Sequence, residues 1–159
     1  MTKYDIRREG EYNMGRIRVA GIIPMNGGYA LMHRRGVKKR KDIQEYYTFP
    51  GGGLEDGEEL EEGTIREIKE EFGIDVEVVK LLYTLESEKF HQKEYFFLCE
   101  YLGGEFGTGE GPEFSNNPKY ADSGEYLPEI IKAEDIEKLL LLPGEIKDKF
   151  VDDVKNSRI

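Results

Sequence analysis

Residues 52–74 read GGLEDGEELEEGTIREIKEEFGI, and this stretch decides the fold and the chemistry. Ile65, Ile68 and Phe72 recur at i, i+3 and i+7, so Glu58 to Phe72 is expected to be a helix, with Gly73 as its stop. At about 100° per residue, Glu67, Glu70 and Glu71 share one sector of that helix, while the three apolar residues turn toward a core. Three like charges that close repel unless a cation neutralises them, and hard carboxylate oxygens suit Mg²⁺ or Mn²⁺ rather than a thiolate-loving metal. Arg66 stands one turn from Glu70 and two turns from Glu58, a spacing from which one guanidinium braces several carboxylates. Ahead of the helix, Gly51, Gly52 and Gly53 let the backbone approach a metal or ligand closely, so that a main-chain carbonyl can complete the coordination.

Working outward, Ile17 to Met25 is β-rich, and Tyr29 to His33 follows the turn signal Asn26-Gly27-Gly28, which predicts a hairpin. A basic loop from Arg34 to Lys41 leads to Tyr46-Tyr47-Thr48-Phe49, which Pro50 and the glycines cut short. Val76 to Leu85 and Lys93 to Tyr101 read as two further strands, and Tyr126 to Lys132 as a last one. Ala133 to Leu141 and Glu145 to Val154 have helical patterns parted by Pro143-Gly144. Gly103 to Gly124 lacks periodicity and reads as one long surface loop, a lid or substrate loop. Without repeats or a second core pattern, residues 1–159 read as a single domain.

With 33 acidic and 23 basic residues, the net charge of −10 argues against a stable nucleic-acid partner, since phosphate backbones are held by clustered Lys and Arg. Cys99 is the only cysteine and lies in an apolar run, which implies a buried thiol and a cytoplasmic location. Met1 to Gly10 is charged, and no apolar run is long enough to span a membrane. His33 and His91 lie far apart without ligand spacing, so neither is expected to carry the chemistry.

Gly52, Glu58, Arg66, Glu67, Ile68, Glu70, Glu71, Gly73 and Ile74 together resemble the Nudix box: a glycine, a glutamate six positions on, then Arg-Glu-apolar-x-Glu-Glu-x-Gly-apolar. The likeness extends to Phe49-Pro50-Gly51-Gly52 and over Ile17 to about Val154. One departure is Gly63, where many members of that family have alanine. The resemblance implies an α/β/α sandwich with a mixed β-sheet, in which Glu70 and Glu71 are metal ligands and the Gly52 carbonyl is a backbone ligand. Glu67 is implied to be a ligand or general base, and Glu58 a structural brace. Glu67, Glu70 and Arg66 form the implied catalytic group. Because such sites recruit an acid from beyond the box, Glu110 is the first candidate for a further ligand and Glu113 the second.

The activity implied is Mg²⁺-dependent hydrolysis, with Mn²⁺ as a substitute, of a nucleoside triphosphate to monophosphate and pyrophosphate, 8-oxo-dGTP included. Dinucleoside polyphosphates, nucleotide sugars and ADP-ribose are the alternatives, and a nucleotide-sensing module without catalysis is the reading from another class. Arg34 and Arg35 are candidates to grip a polyphosphate, and Tyr47 and Phe49, with Tyr46 and Tyr126, to stack on a base. The partner expected is thus a small nucleotide, with room left for a homodimer.

Overall fold

The computed structural model describes residues 16–38, 42–115 and 118–159, so the expectations for Met1–Gly10 and for residues 39–41 of the basic loop lie outside the described residues. Its strands divide between two mixed sheets. In the first, β1 (Arg16–Ile22) pairs in parallel with β7 (Gln92–Gly103), which pairs antiparallel with β6 (Asp75–Ser87). On the other side of β1 lies β5 (Gly51–Gly53), antiparallel to it. The second sheet is built on β3 (Gly28–Arg35), flanked antiparallel by β4 (Glu45–Thr48) and β8 (Glu125–Lys132). β2 (Pro24–Met25) pairs antiparallel with the start of β3, and β9 (Leu141–Leu142) pairs in parallel with β4.

Neighbouring residues of the central strands alternate between two cores, which is what makes the molecule layered. Val19, Tyr95 and Phe97 pack with Ile68 and Phe72 of helix α1 (Leu60–Phe72). Ala20 and Phe96 pack instead with Ile146 and Phe150 of helix α3 (Gly144–Lys155). The expected α/β class with helices on both faces is present, with the strands shared between two sheets rather than laid in one. Among the described residues no helix is long and apolar enough to cross a membrane.

Local chemistry accounts for most boundaries. Asn26 and Gly27 both take positive φ, +49° and +78°, the pair of torsions a tight β2–β3 hairpin turn requires. Gly73 caps α1 in the left-handed conformation, its amide donating to the Lys69 carbonyl. The α1 stripe differs from the expected one in a single position. Ile65 is exposed, and the residue turned inward is Thr64, whose Oγ1 donates to the Leu60 carbonyl and so enters the core with its polar atom satisfied. Of the helix expected over Ala133 to Leu141, the structure has Ala133–Ile136 as helix (α2). The leucines that follow form β9 beside Tyr47 and Thr48, because a short apolar run satisfies strand and helix periodicity alike.

Candidate active site

The segment from 51 to 74 folds as strand, turn and helix, and this delivers α1 carboxylates against the bare backbone of β5. The Gly51 amide donates to Glu71 Oε1 at 3.3 Å. A Cβ added to Gly52 would stand 2.5 Å from Glu67 Oε1, so the carboxylate occupies the space a side chain would take. Glu67, Glu71, Gly51 and Gly52 line a cleft of about 860 Å³ that opens between the two sheets.

Arg66 is the brace that its spacing predicts. Its Nε donates to Glu58 Oε2 at 2.7 Å and its Nη2 to Glu58 Oε1 at 3.0 Å and to the Gly53 carbonyl at 3.1 Å. Nη1 donates to Glu67 Oε1 at 3.1 Å and to both Glu70 oxygens at 3.3 Å. The bond to Glu58, aided by the Glu67 and Glu58 charges, holds the guanidinium protonated well beyond its ordinary range in spite of its burial. One arginine thus ties the glycine turn, the brace Glu58 and two α1 carboxylates together. At Gly63, where alanine is common in the family, an added Cβ would meet Leu54 Cδ1 at 2.5 Å and Glu58 Oε1 at 2.9 Å. Here Leu54 and the brace fill the place of that methyl group.

The long loop contributes the acid that lies outside the helix. Gly107 donates its amide to the Phe72 carbonyl and Gly111 to the Glu70 carbonyl, each at 2.9 Å, so the loop covers carbonyls the last turn of α1 leaves without helical partners. Gly109 passes so close that a Cβ would lie 2.4 Å from the carbonyl oxygens of Glu70 and Glu71. That anchorage carries the short turn Pro112–Phe114 to the cleft, where Glu113 joins Glu67 and Glu71 in the lining. Glu110 is exposed and lies outside the lining.

Burial is the main cause that raises the carboxyls of Glu67, Glu71 and Glu113. Mutual repulsion adds to it: Glu70 and Glu113 act on Glu67, Glu67 and Glu113 on Glu71, and Glu70 on Glu113. Glu71 is raised furthest, although the Gly51 amide and Arg18 oppose the shift. Glu113 Oε1 is buried without a hydrogen-bond partner. Buried, mutually repelling carboxylates and an orphaned oxygen are a donor set suited to a hard divalent cation. Among the described residues no three such side chains converge at coordination distance; Glu70 is turned to Arg66, and reorienting side chains on a fixed helix is what a cation requires here.

Three arginines face this acidic group. Arg16 and Arg18 stand two residues apart on one face of β1, and both line the cleft. Arg18 lies 3.7 Å from Glu94, whose carboxyl burial raises and Arg18 lowers. Arg34 lines the cleft from β3 and lowers the carboxyl of Glu113. Arg16, Arg18 and Glu94 were not anticipated from the sequence, although charged residues at every second position of an otherwise apolar strand were a readable signal.

The remaining expected site residues divide. Phe49 lines the cleft while buried against Phe96 and Phe150. Tyr47 lies outside the lining and stacks on His33 with 4.3 Å between centroids, and His33 Nε2 lies 3.0 Å from Glu45 Oε2. Arg35 is also outside the lining, in an ion pair with Glu125 at 3.0 Å. Neither histidine lines the cleft. Cys99 is buried, which pushes its thiol up to about 12.

The NUDIX domain family model matches residues 15–140. The chain belongs to the Nudix family. This Nudix chain is 30% identical over 131 residues to an ADP-ribose pyrophosphatase of Methanocaldococcus jannaschii, a match that takes in 76% of the chain and 75% of that protein. It is 35% identical over 94 residues to an RNA pyrophosphohydrolase of a Wolbachia strain, covering 48% of the chain and 58% of that relative's length. Among solved structures, a NUDIX hydrolase from Nitrosomonas europaea superposes with a TM-score of 0.67 over 89% of this chain and 70% of the other, at 18% identity. That likeness bears on the fold alone.

Proposed function

We propose that this Nudix hydrolase cleaves the pyrophosphate link of a nucleoside diphosphate derivative with the aid of a bound Mg²⁺, for which Mn²⁺ can substitute. The observation that carries the reading is the burial of Glu67 and Glu71 against Gly51 and Gly52 in a cleft edged with arginines from both sheets. Glu67, Glu70, Glu71 and the Gly52 carbonyl would hold the metal, with Arg66 and Glu58 fixing their orientation. A divalent ion held by these residues would supply a lowered water pKa and charge to offset the phosphate oxygens. Arg18 and Arg16 receive the phosphates and keep the link in line for attack. Glu113 accepts the water's proton; its carboxyl, raised by burial, is a stronger base than an ordinary surface carboxylate.

For the substrate, ADP-ribose stands first. The archaeal relative matched over three quarters of both chains bears that name, and a cleft with Arg16 and Arg18 on one sheet and Tyr46 and Tyr126 on the other suits a pyrophosphate flanked by two groups. A nucleoside triphosphate, oxidised or not, is the second reading, favoured by Arg16, which has no acidic partner within ion-pair distance among the described residues. ADP-ribose, nucleotide sugars, dinucleoside polyphosphates, ordinary triphosphates and 8-oxo-dGTP, each incubated with Mg²⁺ and the purified chain, separate the two. Formation of AMP and ribose 5-phosphate supports the first and release of pyrophosphate the second. No cleavage of any of them with Mg²⁺ or Mn²⁺ overturns the hydrolase assignment.

A further inference from the structure

Across three neighbouring strands of the second sheet, Tyr46, Arg34 and Tyr126 form a row with no part in the chemistry just described. Register sets Arg34 opposite Tyr46 on β4 and opposite Tyr126 on β8, so the three side chains rise from one face of the sheet. All three line the cleft. The guanidinium carbon of Arg34 lies 3.7 Å from the Tyr126 ring centroid and 5.8 Å from that of Tyr46.

One edge of this guanidinium is already occupied. Nη2 donates to the Ser123 carbonyl at 2.5 Å and Nε to the Glu125 carbonyl at 3.3 Å. A bidentate grip on phosphate needs two N–H groups along one edge, and the main chain holds the Nε–Nη2 pair. A planar cation fixed on a phenol ring, with that side edge engaged, offers a ligand its Nη1–Nη2 tip and the face turned away from Tyr126, and such faces stack on aromatic rings. Phe114 meets Tyr126 edge-on at 6.1 Å and 66°, and it is the residue after Glu113, which couples the row to the acidic group by one peptide link.

We propose that Tyr46, Arg34 and Tyr126 form a shelf on which the nucleobase of the substrate stacks, and that Arg34 determines specificity through its face rather than anchoring phosphate. The proposal rests on the nucleotide reading above. The nucleoside then lies over β3, β4 and β8, and the group beyond the pyrophosphate points toward Arg16. Purines, with the larger π surface, are the favoured bases.

Equilibrium binding of AMP, GMP and ribose 5-phosphate to the full chain tests this without any turnover, because the three share a phosphate and a sugar and only two have a base. The wild type is expected to bind AMP or GMP at least about tenfold more tightly than ribose 5-phosphate. Arg34→Gln and Tyr126→Leu should each cut that preference at least about fivefold and leave ribose 5-phosphate affinity unchanged, while Tyr126→Phe, which keeps the ring, retains it. Equal weakening of all three ligands by Arg34→Gln makes Arg34 a phosphate anchor and overturns the proposal, as does a wild type that binds the three alike. Thermal melting checks each variant's fold; if Arg34→Gln does not fold, the contrast between Tyr126→Leu and Tyr126→Phe decides. Failure of hydrolysis across the substrate panel would remove the enzymatic reading, whereas loss of the base preference alone removes only the shelf.

Discussion

The carboxylate of Glu67 packs on the bare Cα of Gly52, and the methyl group of an alanine there would come within 2.5 Å of Oε1. The obstacle is the end of a flexible side chain, so Gly52→Ala is expected to displace the carboxylate and spare the fold. Turnover should fall by about a hundredfold with an unchanged melting temperature, since misplacing a catalytic group by about an ångström has that effect. Gly51→Ala is its opposite, because the added atom would meet the Val19 carbonyl oxygen at 2.1 Å and backbone cannot step aside cheaply. A loss of about 2–4 kcal/mol in denaturant unfolding is expected there. Equal effects of the two substitutions would show that the distinction is unfounded.

Removing Arg66 leaves Glu58 and Glu67, whose side chains are only 12% and 14% exposed, without their shared cation. Arg66→Met should cost about 3 kcal/mol, the low end for breaking a buried ion pair, because the guanidinium itself retains some solvent contact. Arg66→Lys should recover only part of this, as an ammonium cannot span Glu58, Glu67 and the Gly53 carbonyl at once. Urea titration of the three proteins checks the order.

Burial, followed by the charges of Glu67 and Glu113, raises the carboxyl of Glu71, and Glu67 is raised in the same direction. The folded chain therefore binds protons that the unfolded chain has released, and the contribution of these groups to stability falls as pH climbs through their folded values. Asp153, held low by its bond to Tyr83 and by Arg158, has the opposite sign, but it acts below the ordinary carboxylate range. Without metal, the melting temperature is expected to drop as pH rises above the ordinary carboxylate range, and Glu71→Gln should flatten the slope. Added Mg²⁺ should raise the midpoint more at higher pH, where the ligands are ionised. A wild-type midpoint that climbs with pH there would contradict the account.

Glu113→Gln is expected to lower turnover at least about a hundredfold, and Glu110→Gln to stay within about twofold of wild type. Gly109→Ala, which leaves every carboxylate in the sequence intact, should mimic the Glu113 defect by lifting the loop from the Glu70 and Glu71 carbonyls. Steady-state rates on one hydrolysed substrate suffice for all three. Full activity in Gly109→Ala would separate the loop's anchorage from its acid.

The helix from Leu60 to Phe72 and its acidic sector were legible because periodicity, a terminal glycine and charge spacing all agree in that stretch. The Arg66–Glu70 contact was legible as well, since i, i+4 geometry is fixed by the helix alone, whereas Glu58 lies ahead of the helix and reaches Arg66 by way of the turn. Which of Glu110 and Glu113 lines the cleft was not, because it depends on two glycine amides finding the end of a helix distant in sequence. Tyr46 and Tyr47 had to point to opposite faces of β4, but which face meets the cleft is set by β9 and β8, whose pairing no local pattern reveals. Arg18 and Glu94 are the same case, since only the parallel register of β1 with β7 makes them neighbours.

The loop that brings in Glu113 is tied to α1 by main-chain amides meeting main-chain carbonyls, with a glycine where the two run closest. Apart from Phe106, which packs on Phe72, the mooring is made by backbone and so is indifferent to the exposed side chains of the segment. The exposed positions of the segment can thus be rewritten as an exchangeable cassette, while the acid at 113 keeps its station in the cleft.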